Sequence, residues 1–474
     1  MDTIEINKVF VHPNSYISII VLLNYIMIDI IQNIHTIQNI DTLILYFNHY
    51  TIPVIKNKKE RGEVFTPSIV IQDLLDDLDE TYKKKYNKSI FSNEHLKWFD
   101  PCVGKGNFMV FIFQRLMSGL EYKIPDLELR RIHILKNMLF MSEISQNNID
   151  FCKTILCANE YHTNIISCDS LLSDGFNQKF DIVIGNPPFN IDGTKHKGKK
   201  NVYVYFSVRA FDKWLIQDGF LAFIHPPTYR INHHKIQCTK TNLNSIYTSK
   251  QIDCIKMYTA ERIIKLMNVM MNIDYIIIQN KPRDDTNKTK IIDTKNEVIY
   301  KNIIQDEFIP NYGIILLNKL KNNFSQDKIE IIGNSQLHAQ HIKGTRYKTI
   351  HGITKKGLKI LTSDKKHKYH DTPKYIINGI GSYNYVFYDK NGDYGVTQSP
   401  LLILNPSPNT MKFIDSPLFH YISNATKIIG NNFNKKTSYF LPVIQEEITD
   451  LYDYFSLNPK EVLEVKICNI PDYK

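Results

Sequence analysis

The residues in this chain whose types could most directly do chemistry are Asn186-Pro187-Pro188-Phe189. They follow the mostly apolar and β-branched run 181–185, which predicts a buried parallel strand. The two prolines end that strand, because proline cannot donate a ladder hydrogen bond and biases the preceding residue towards extended conformations. The loop is therefore expected at the carboxyl end of a central strand, where open α/β sheets place their ligands.

This loop has groups suited to an amine on an aromatic ring. Such an amine is a poor nucleophile, because its lone pair is delocalised into the ring. Two hydrogen-bond acceptors directed at the amine favour a pyramidal and more nucleophilic nitrogen. The side-chain carbonyl of Asn186 and the main-chain carbonyl of Pro187 are candidates for these acceptors, and Phe189 offers an apolar face for stacking. The alternative is a plain turn after a strand, with an incidental aromatic residue.

Three further strand ends carry groups that suit a nucleoside. A short strand ending at Asp100 is followed by Gly104-Lys105-Gly106, whose glycines let the backbone approach a ligand before a helix over about 108–117. A second strand ends at Glu143, where an acid would bind the two ribose hydroxyls. A third ends at Asp169, which could accept from an adenine amine. For Glu143 or Asp169 taken alone, a helix cap or a solvated acid is the better interpretation, but three successive strand ends favour one site.

Upstream, Thr66-Pro67 precedes an apolar-periodic stretch and predicts a helix start, with Thr66 as N-cap and Pro67 in the first turn. Downstream, a helix is predicted from 201 through 215, and strands are predicted over 219–227 and 270–279. Strands that alternate with helices from about 95 to 280 predict a doubly wound α/β sheet. The basic run 193–200 is either a loop that lies against phosphates or a solvated run of charge.

The order of these motifs resembles that of the amino-methyltransferases that make N6-methyladenine in DNA from S-adenosylmethionine, in their gamma motif order. The resemblance covers about residues 60 to 280. It implies a Rossmann-like methyltransferase domain over 59–284, after an N-terminal helical segment over 1–58. It also implies a site-specific enzyme that flips adenine out of duplex DNA and methylates it by direct displacement, without a metal.

The resemblance also implies roles for single residues. Thr66 and the Gly104–Gly106 turn would contact the amino-acid part of S-adenosylmethionine, Glu143 its ribose and Asp169 its adenine. The cofactor-binding residues implied in this way are Thr66, Asp100, Gly104, Gly106, Glu143, Asp169 and Asn186, and the catalytic ones are Asn186, Pro187 and Phe189.

The helix after the catalytic loop would line the cofactor pocket with Tyr203 and Phe206. One departure from the family pattern concerns a second aromatic residue that often sandwiches the target base. Residues 265–269 hold no aromatic side chain at that place. Either an aliphatic face or Tyr258 takes over its role.

The composition indicates which class of partner and which cellular compartment to expect. The net charge of +10 and the pI of about 8.9 favour a polyanionic partner. The seven cysteines include no C-x-x-C pair, which fits a reducing cytoplasm, bacterial or that of a virus's host. The apolar stretch 16–31 is short and is interrupted by Asn24 and Asp29, so a buried helix is predicted there and no membrane span.

From a polar linker at 283–288 onwards the chain changes in character, and we predict an α+β target-recognition domain over 285–474. Within it, residues 341–348 combine basic side chains with the aromatic Tyr347, which suits contact with double-stranded DNA. The alternative is an accessory domain with a solvated basic face. A separate cognate restriction endonuclease is compatible with this reading. The rival functions are methylation of RNA or of protein glutamine, and a catalytically silent DNA-binding protein.

Overall fold

The structure is a computed structural model. It describes the following ranges: 66–156, 163–173, 175–189, 201–231, 242–267, 269, 271–304, 307–323, 327–333, 343–379, 385–397, 399–428, 433 and 435–467. The N-terminal segment 1–58, with its predicted helix at 16–31, and the basic run 193–200 lie outside these residues.

A nine-stranded mixed sheet forms the larger part of the fold. Its strands are β1 (Trp98–Asp100), β2 (Leu139–Glu143), β3 (Asn164–Ser167), β4 (Phe180–Gly185), β5 (Leu215–His225), β6 (Lys250–Tyr258), β7 (Ile273–Pro282), β8 (Thr289–Ile292) and β9 (Val298–Lys301). They lie side by side in the order β3-β2-β1-β4-β5-β7-β6-β8-β9. The first five are parallel to one another, and β7 runs antiparallel between β5 and β6. The predicted doubly wound α/β fold is confirmed.

Helices connect and cover these strands. They are α1 (Ser68–Tyr86), α2 (Asn107–Gly119), α3 (Leu127–His133), α4 (Gln146–Ile155), α5 (Val202–Arg209), α6 (Leu243–Thr248) and α7 (Ala260–Met267). In α1, fully buried residues recur every three or four positions, at Val70, Ile71, Leu74, Leu75 and Leu78. This spacing places them on one helix face, which packs into the core around the sheet.

The C-terminal region has two smaller sheets and a second hydrophobic core. One sheet has the order β10-β16-β13-β14, and the other has the order β12-β11-β15. The strands are β10 (Ile332–Gly333), β11 (Lys343–Thr354), β12 (Gly357–Ser363), β13 (Lys374–Ile377), β14 (Val386–Asp389), β15 (Gly395–Val396) and β16 (Leu401–Leu404). The helices are α8 (Ile314–Asn323), α9 (Pro408–Ile414), α10 (Pro417–Ala425), α11 (Leu451–Tyr454) and α12 (Pro459–Lys466).

The sheet extends beyond the boundary that the sequence suggested. β8 and β9 continue it to Lys301, so residues 283–288 form a loop between β7 and β8 and not a linker between domains. The polar residues of this loop suggested a linker. The pairing of β8 with β6, which lies more than thirty residues earlier in the chain, leaves no local pattern that would have indicated otherwise. A division of the chain near 301 fits the sheet better than one at 284.

Two local predictions were also wrong. Pro67, not Thr66, occupies the N-cap of α1, and no side chain caps that helix. The helix predicted through Leu215 ends in a π-helical turn over Ala210–Trp214, and Leu215 opens β5. Among the described helices, none is long and apolar enough to cross a membrane.

Candidate active site

A cavity of about 560 Å³ opens at the carboxyl ends of β1, β2 and β4 and at the turn after β3. Six of the seven predicted cofactor residues, Asn186 among them, lie on its wall. The residues that line it are Thr66, Asp100, Pro101, Cys102, Val103, Gly104, Lys105, Asn107, Phe108, Glu143, Ile144, Ser145, Gln146, Asn147, Asn148, Cys168, Asp169, Ser170, Leu171, Asn186, Pro188 and Phe206, whereas Gly106 is not among them. Thus Thr66, Asp100, Gly104, Glu143 and Asp169 come together with Asn186.

The first wall is the turn between β1 and α2. The Oδ1 atom of Asp100 accepts a hydrogen bond from the Cys102 amide at 2.9 Å. Gly104 and Gly106 have φ angles of +55° and +88°, values that side chains other than glycine rarely adopt. A Cβ atom on Gly104 would meet no atom within 4 Å, so the backbone there borders open space. Close approach of a ligand to this turn is therefore possible.

Glu143 links the second wall to the first. Its Oε2 atom accepts from the Gly104 amide at 2.9 Å, and its Oε1 atom accepts from the amides of Ile144 and Ser145 at 3.0 and 2.8 Å. Three backbone donors therefore hold the carboxylate in one orientation. Because a carboxylate offers about four acceptor positions, it keeps capacity for the hydroxyl groups of a ligand.

The third wall is the turn after β3. The Oδ1 atom of Asp169 accepts from the Leu171 amide at 2.9 Å. The hydroxyl of Ser170 donates to the Pro101 carbonyl at 2.6 Å, so this turn is joined directly to the turn after β1. Asp169 remains partly exposed at the cavity wall.

The buried acids of this crevice raise the pKa values of groups on its wall. Burial, together with the nearby charge of Glu143, raises the pKa of Asp100 to about 7, against the hydrogen bond from the Cys102 amide, which lowers it. Burial and the same two carboxyl groups raise the pKa of the Cys102 thiol. A cationic group bound beside Asp100 would favour its ionised form.

Asn186 lies at the end of the cavity where β4 stops. Its Nδ2 atom donates to the hydroxyl of Thr66 at 3.1 Å, so its Oδ1 atom is directed away from Thr66. The preceding Gly185 lies against the first wall, since a Cβ atom there would be 2.8 Å from Oδ1 of Asp100. Thr66, predicted as a helix cap, instead orients the amide of Asn186.

Two other residues of this loop face the protein interior. Pro187 and Phe189 are buried and are not part of the cavity wall, whereas Pro188 is. The ring of Phe189 lies edge-on to Tyr203, at 6.2 Å between centroids. Tyr203 in turn bonds to the Thr228 hydroxyl at 2.7 Å and stacks on His225 at 5.1 Å. Of the two helix residues predicted to line the cofactor pocket, Phe206 does so and Tyr203 does not.

Tyr258, the other candidate for the second aromatic residue of the target-base pocket, does not line the cavity. It is 1% exposed, and its hydroxyl donates to Asp73 of α1 at 3.0 Å. It therefore belongs to the core beneath α1. The aliphatic alternative on residues 265–269 stays open, and Leu266 on α7 is partly exposed there.

Sequence reasoning missed one edge of the cavity. Lys105 and the polar residues Gln146, Asn147 and Asn148 at the start of α4 line it. The available signal was their position, because Gln146 begins the helix three residues after the acid that ends β2. Lys105 leans towards the same helix, with its ammonium 5.6 Å from the Phe151 ring centre.

Comparison with known proteins agrees with this geometry. Residues 47–214 match the family described as N-6 DNA Methylase. An uncharacterised adenine-specific methylase of Mycoplasma pneumoniae is 23% identical over 370 residues, covering 60% of this chain and 84% of the relative. The modification methylase CviBIII of Paramecium bursaria Chlorella virus NC1A is 34% identical over 98 residues, which is 19% of this chain and 26% of that protein.

Among solved structures, the Type IIL restriction-modification enzyme MmeI in complex with DNA has a similar fold. The TM-score is 0.52 at 14% sequence identity, and the match covers 84% of this chain and 70% of that one. The matched family segment includes all the strand ends that build the cavity, from the turn after β1 to the loop after β4. The segment that carries this cavity is therefore similar to the N-6 DNA methylases.

Proposed function

We propose that this chain transfers a methyl group from S-adenosylmethionine to the N6 amine of adenine at a specific site in duplex DNA. The observation that carries the proposal is that Asn186 shares one cavity with the acids of three neighbouring strand ends. A nucleoside cofactor and the amine of a target base need these two sets of groups side by side.

The cavity suits S-adenosylmethionine in size and in chemistry. Its volume of about 560 Å³ is typical of small-molecule sites. Glu143 would accept from the ribose hydroxyls and Asp169 from the adenine amine. Asp100, Thr66, Asn186 and the turn at Gly104 and Gly106 would surround the amino-acid part. When bound, the cofactor supplies a methyl group activated by the positive sulfur.

The protein's own contribution to the reaction is to hold the amine. Asn186 Oδ1 and the Pro187 carbonyl would accept its two hydrogens and direct its lone pair at the methyl carbon. The Asn186–Thr66 hydrogen bond supports this role, because it orients the amide before the base arrives. The base must leave its stack to reach this depth.

Phe189 would stack on the flipped base. Because the Phe189 side chain is only 6% exposed and packs against Tyr203, we propose that the ring or the loop moves when the base enters. The cost of this motion would fall on binding of DNA and not on binding of the cofactor.

We assign recognition of the duplex to the C-terminal region. MmeI, whose fold is similar over most of this chain, was solved in complex with DNA, and the basic charge of this chain suits the same partner. A separate cognate restriction endonuclease would complete a restriction–modification pair.

The direct test is to incubate the protein and labelled S-adenosylmethionine with duplex DNA, with RNA and with protein, and then to identify the labelled nucleoside. N6-methyladenine in DNA is the expected product. Label in RNA or in protein glutamine would point to one of the rival methyltransferases. Binding of DNA without transfer to any substrate would point to a catalytically silent DNA-binding protein.

A further inference from the structure

Most of the net positive charge of this chain is concentrated in one short segment. Residues 343–368, which we name the basic hairpin, contain nine Lys and Arg residues and one acid, a net charge of +8. The whole chain has a net charge of +10, so the other 448 residues together carry only +2. All nine basic residues of the hairpin are exposed.

These charges are largely not neutralised within the protein. Lys366 pairs with Asp371. Within the described ranges, six others form no ion pair, namely Lys343, Arg346, Lys348, Lys355, Lys356 and Lys359. The one acid of the hairpin, Asp364, accepts from the Thr345 amide at 2.8 Å and so joins the two strand ends. Exposed like charges at this density repel one another, and a polyanion would relieve that repulsion.

The hairpin is anchored in the fold. β11 pairs with β12 along its length and also with β15, through Thr349 and Ile350. Ile350 and Ile353 are buried in a small core with Val396 and Leu402. The basic side chains are therefore displayed by a braced ribbon.

The β12 edge of this ribbon has a mixed character that suits base edges as well as phosphates, with its successive side chains on alternate faces. Ile360 and Leu361 on β12 are 44% and 42% exposed, between Lys359 and Thr362, which are exposed too. Lys355 and Lys356 form the connection at the tip. A two-stranded ribbon fits the major groove of B-form DNA, where lysine reads guanine and apolar groups contact the thymine methyl.

We propose that the basic hairpin is the element that grips the target duplex, with the β12 edge of its ribbon in the major groove. Lys348, Lys355, Lys356 and Lys359 lie on phosphates or base edges, and Ile360 and Leu361, on the two faces of that edge, lie beside the bases. This inference rests on the proposed function, since it names the surface by which that enzyme holds its substrate. B-form DNA is favoured over RNA, because the major groove of A-form RNA is too narrow to admit a ribbon.

The first test removes four of these charges. The variant Lys348→Gln, Lys355→Gln, Lys356→Gln, Lys359→Gln is compared with Lys88→Gln, Lys136→Gln, Lys213→Gln, Lys460→Gln, which loses the same charge from exposed lysines elsewhere. Binding to a mixed-sequence duplex is measured by anisotropy between about 50 and about 200 mM salt. The hairpin variant should bind about 10²-fold more weakly, and the slope of log affinity against log salt should fall by about 3 to 4, while the control changes little.

The second test concerns the groove. Ile360→Ser with Leu361→Ser should lower methyl transfer to DNA at least about tenfold, because contacts to bases carry the site preference, and should leave the salt slope unchanged. Circular dichroism and cofactor affinity should match the parent protein for all three variants, since none of the substituted residues lines the cavity.

The results separate the two proposals. If the parent protein labels no DNA, the proposed function fails. If it labels DNA, and the hairpin variant and its control bind duplex alike, the hairpin inference is overturned. Unchanged transfer by the Ile360–Leu361 variant overturns the placement in the major groove. Loss of RNA binding with duplex binding retained would show that the hairpin serves another partner.

Discussion

The two halves of the candidate site are built differently. On the cofactor side, carboxylates at strand ends are held by backbone amides, as Glu143 is by three of them. On the target side, one side-chain hydrogen bond orients Asn186, and Phe189 is packed against Tyr203. Main-chain amides next to strand ends keep their positions because the sheet fixes the backbone, whereas side-chain packing can rearrange. The comparison suggests a cofactor crevice formed in advance and a base pocket that opens on use.

The sharpest way to separate the two halves is Asn186→Ala. Loss of one of the two acceptors for the amine should lower kcat by about 10²- to 10³-fold, the usual effect of removing one positioned hydrogen-bonding group. Cofactor affinity should fall less than about tenfold, because the change leaves the carboxylates of Asp100, Glu143 and Asp169 on the cavity wall. Thr66→Val removes the same bond but keeps the acceptor, so it should lower kcat less than Asn186→Ala does. Lost cofactor binding with normal turnover would reverse the assignment.

The cofactor half is tested by Glu143→Gln. An amide nitrogen would face one of the backbone donors that now bind the carboxylate. Affinity for S-adenosylmethionine, measured by calorimetry, should fall by about 10- to 100-fold, because hydrogen bonds to a charged group contribute about 1.5 to 3 kcal/mol. Asp169→Asn keeps the oxygen that accepts from Leu171 and should show a smaller loss. Equal losses of affinity in the two variants would contradict a larger contribution of Glu143 than of Asp169 to cofactor binding.

Gly185→Ala tests the contact between the halves. The new Cβ atom would lie 2.8 Å from the buried Oδ1 of Asp100, which is held by the Cys102 amide. Overpacking of this kind should lower the free energy of unfolding by about 1 to 3 kcal/mol, as measured by denaturant titration. Gly104→Ala meets no atom within 4 Å and loses only the freedom of a positive φ. A larger loss for Gly104→Ala would show that the two walls do not press on each other there.

Asp100 predicts a pH dependence. Its pKa in the folded protein is raised to about 7, so the folded state binds this proton more tightly than the unfolded chain does. Without cofactor, this group should therefore lower the free energy of unfolding as pH rises from about 4 to about 7. A bound cation should lower the same pKa, so cofactor affinity should increase as pH rises from about 5.5 to about 7. Asp100→Asn should abolish both trends, and unchanged profiles would place the titration elsewhere.

The smallest effect is expected for Tyr258→Phe. Its hydroxyl bonds to Asp73 in the core, so the change should cost about 1 kcal/mol of stability. KM for DNA and kcat should not change, because the ring is retained and lies away from the cavity. A marked rise in KM for DNA would indicate instead that Tyr258 contacts the target base.

Much of the site followed from local patterns. Apolar runs that end in Asp100, Glu143 and Asn186 predicted three strands, and the rule that parallel strands deliver their carboxyl ends to one edge predicted a shared site. Glycines at positive φ in the turn after β1 were equally readable. The catalytic and cofactor roles of these residues remain predictions.

Other features depended on partners far away in the chain. The addition of β8 and β9 to the sheet rests on pairing with β6, and the orientation of Asn186 rests on Thr66, 120 residues earlier. The burial of Tyr258 and Phe189 was likewise invisible, because an aromatic residue reads the same in sequence whether it stacks on a ligand or on its neighbours.

The sequence by itself determined the doubly wound sheet, the motifs at its strand ends and the excess of basic residues, because periodicity, turn chemistry and charge are properties of short segments. Only the tertiary structure decided which side chains line the cavity and which are buried in the core. It also decided that the basic residues of 343–368 lie on a hairpin paired with the rest of its sheet. Those outcomes depend on strand pairing and packing between distant segments, which no short stretch of sequence encodes.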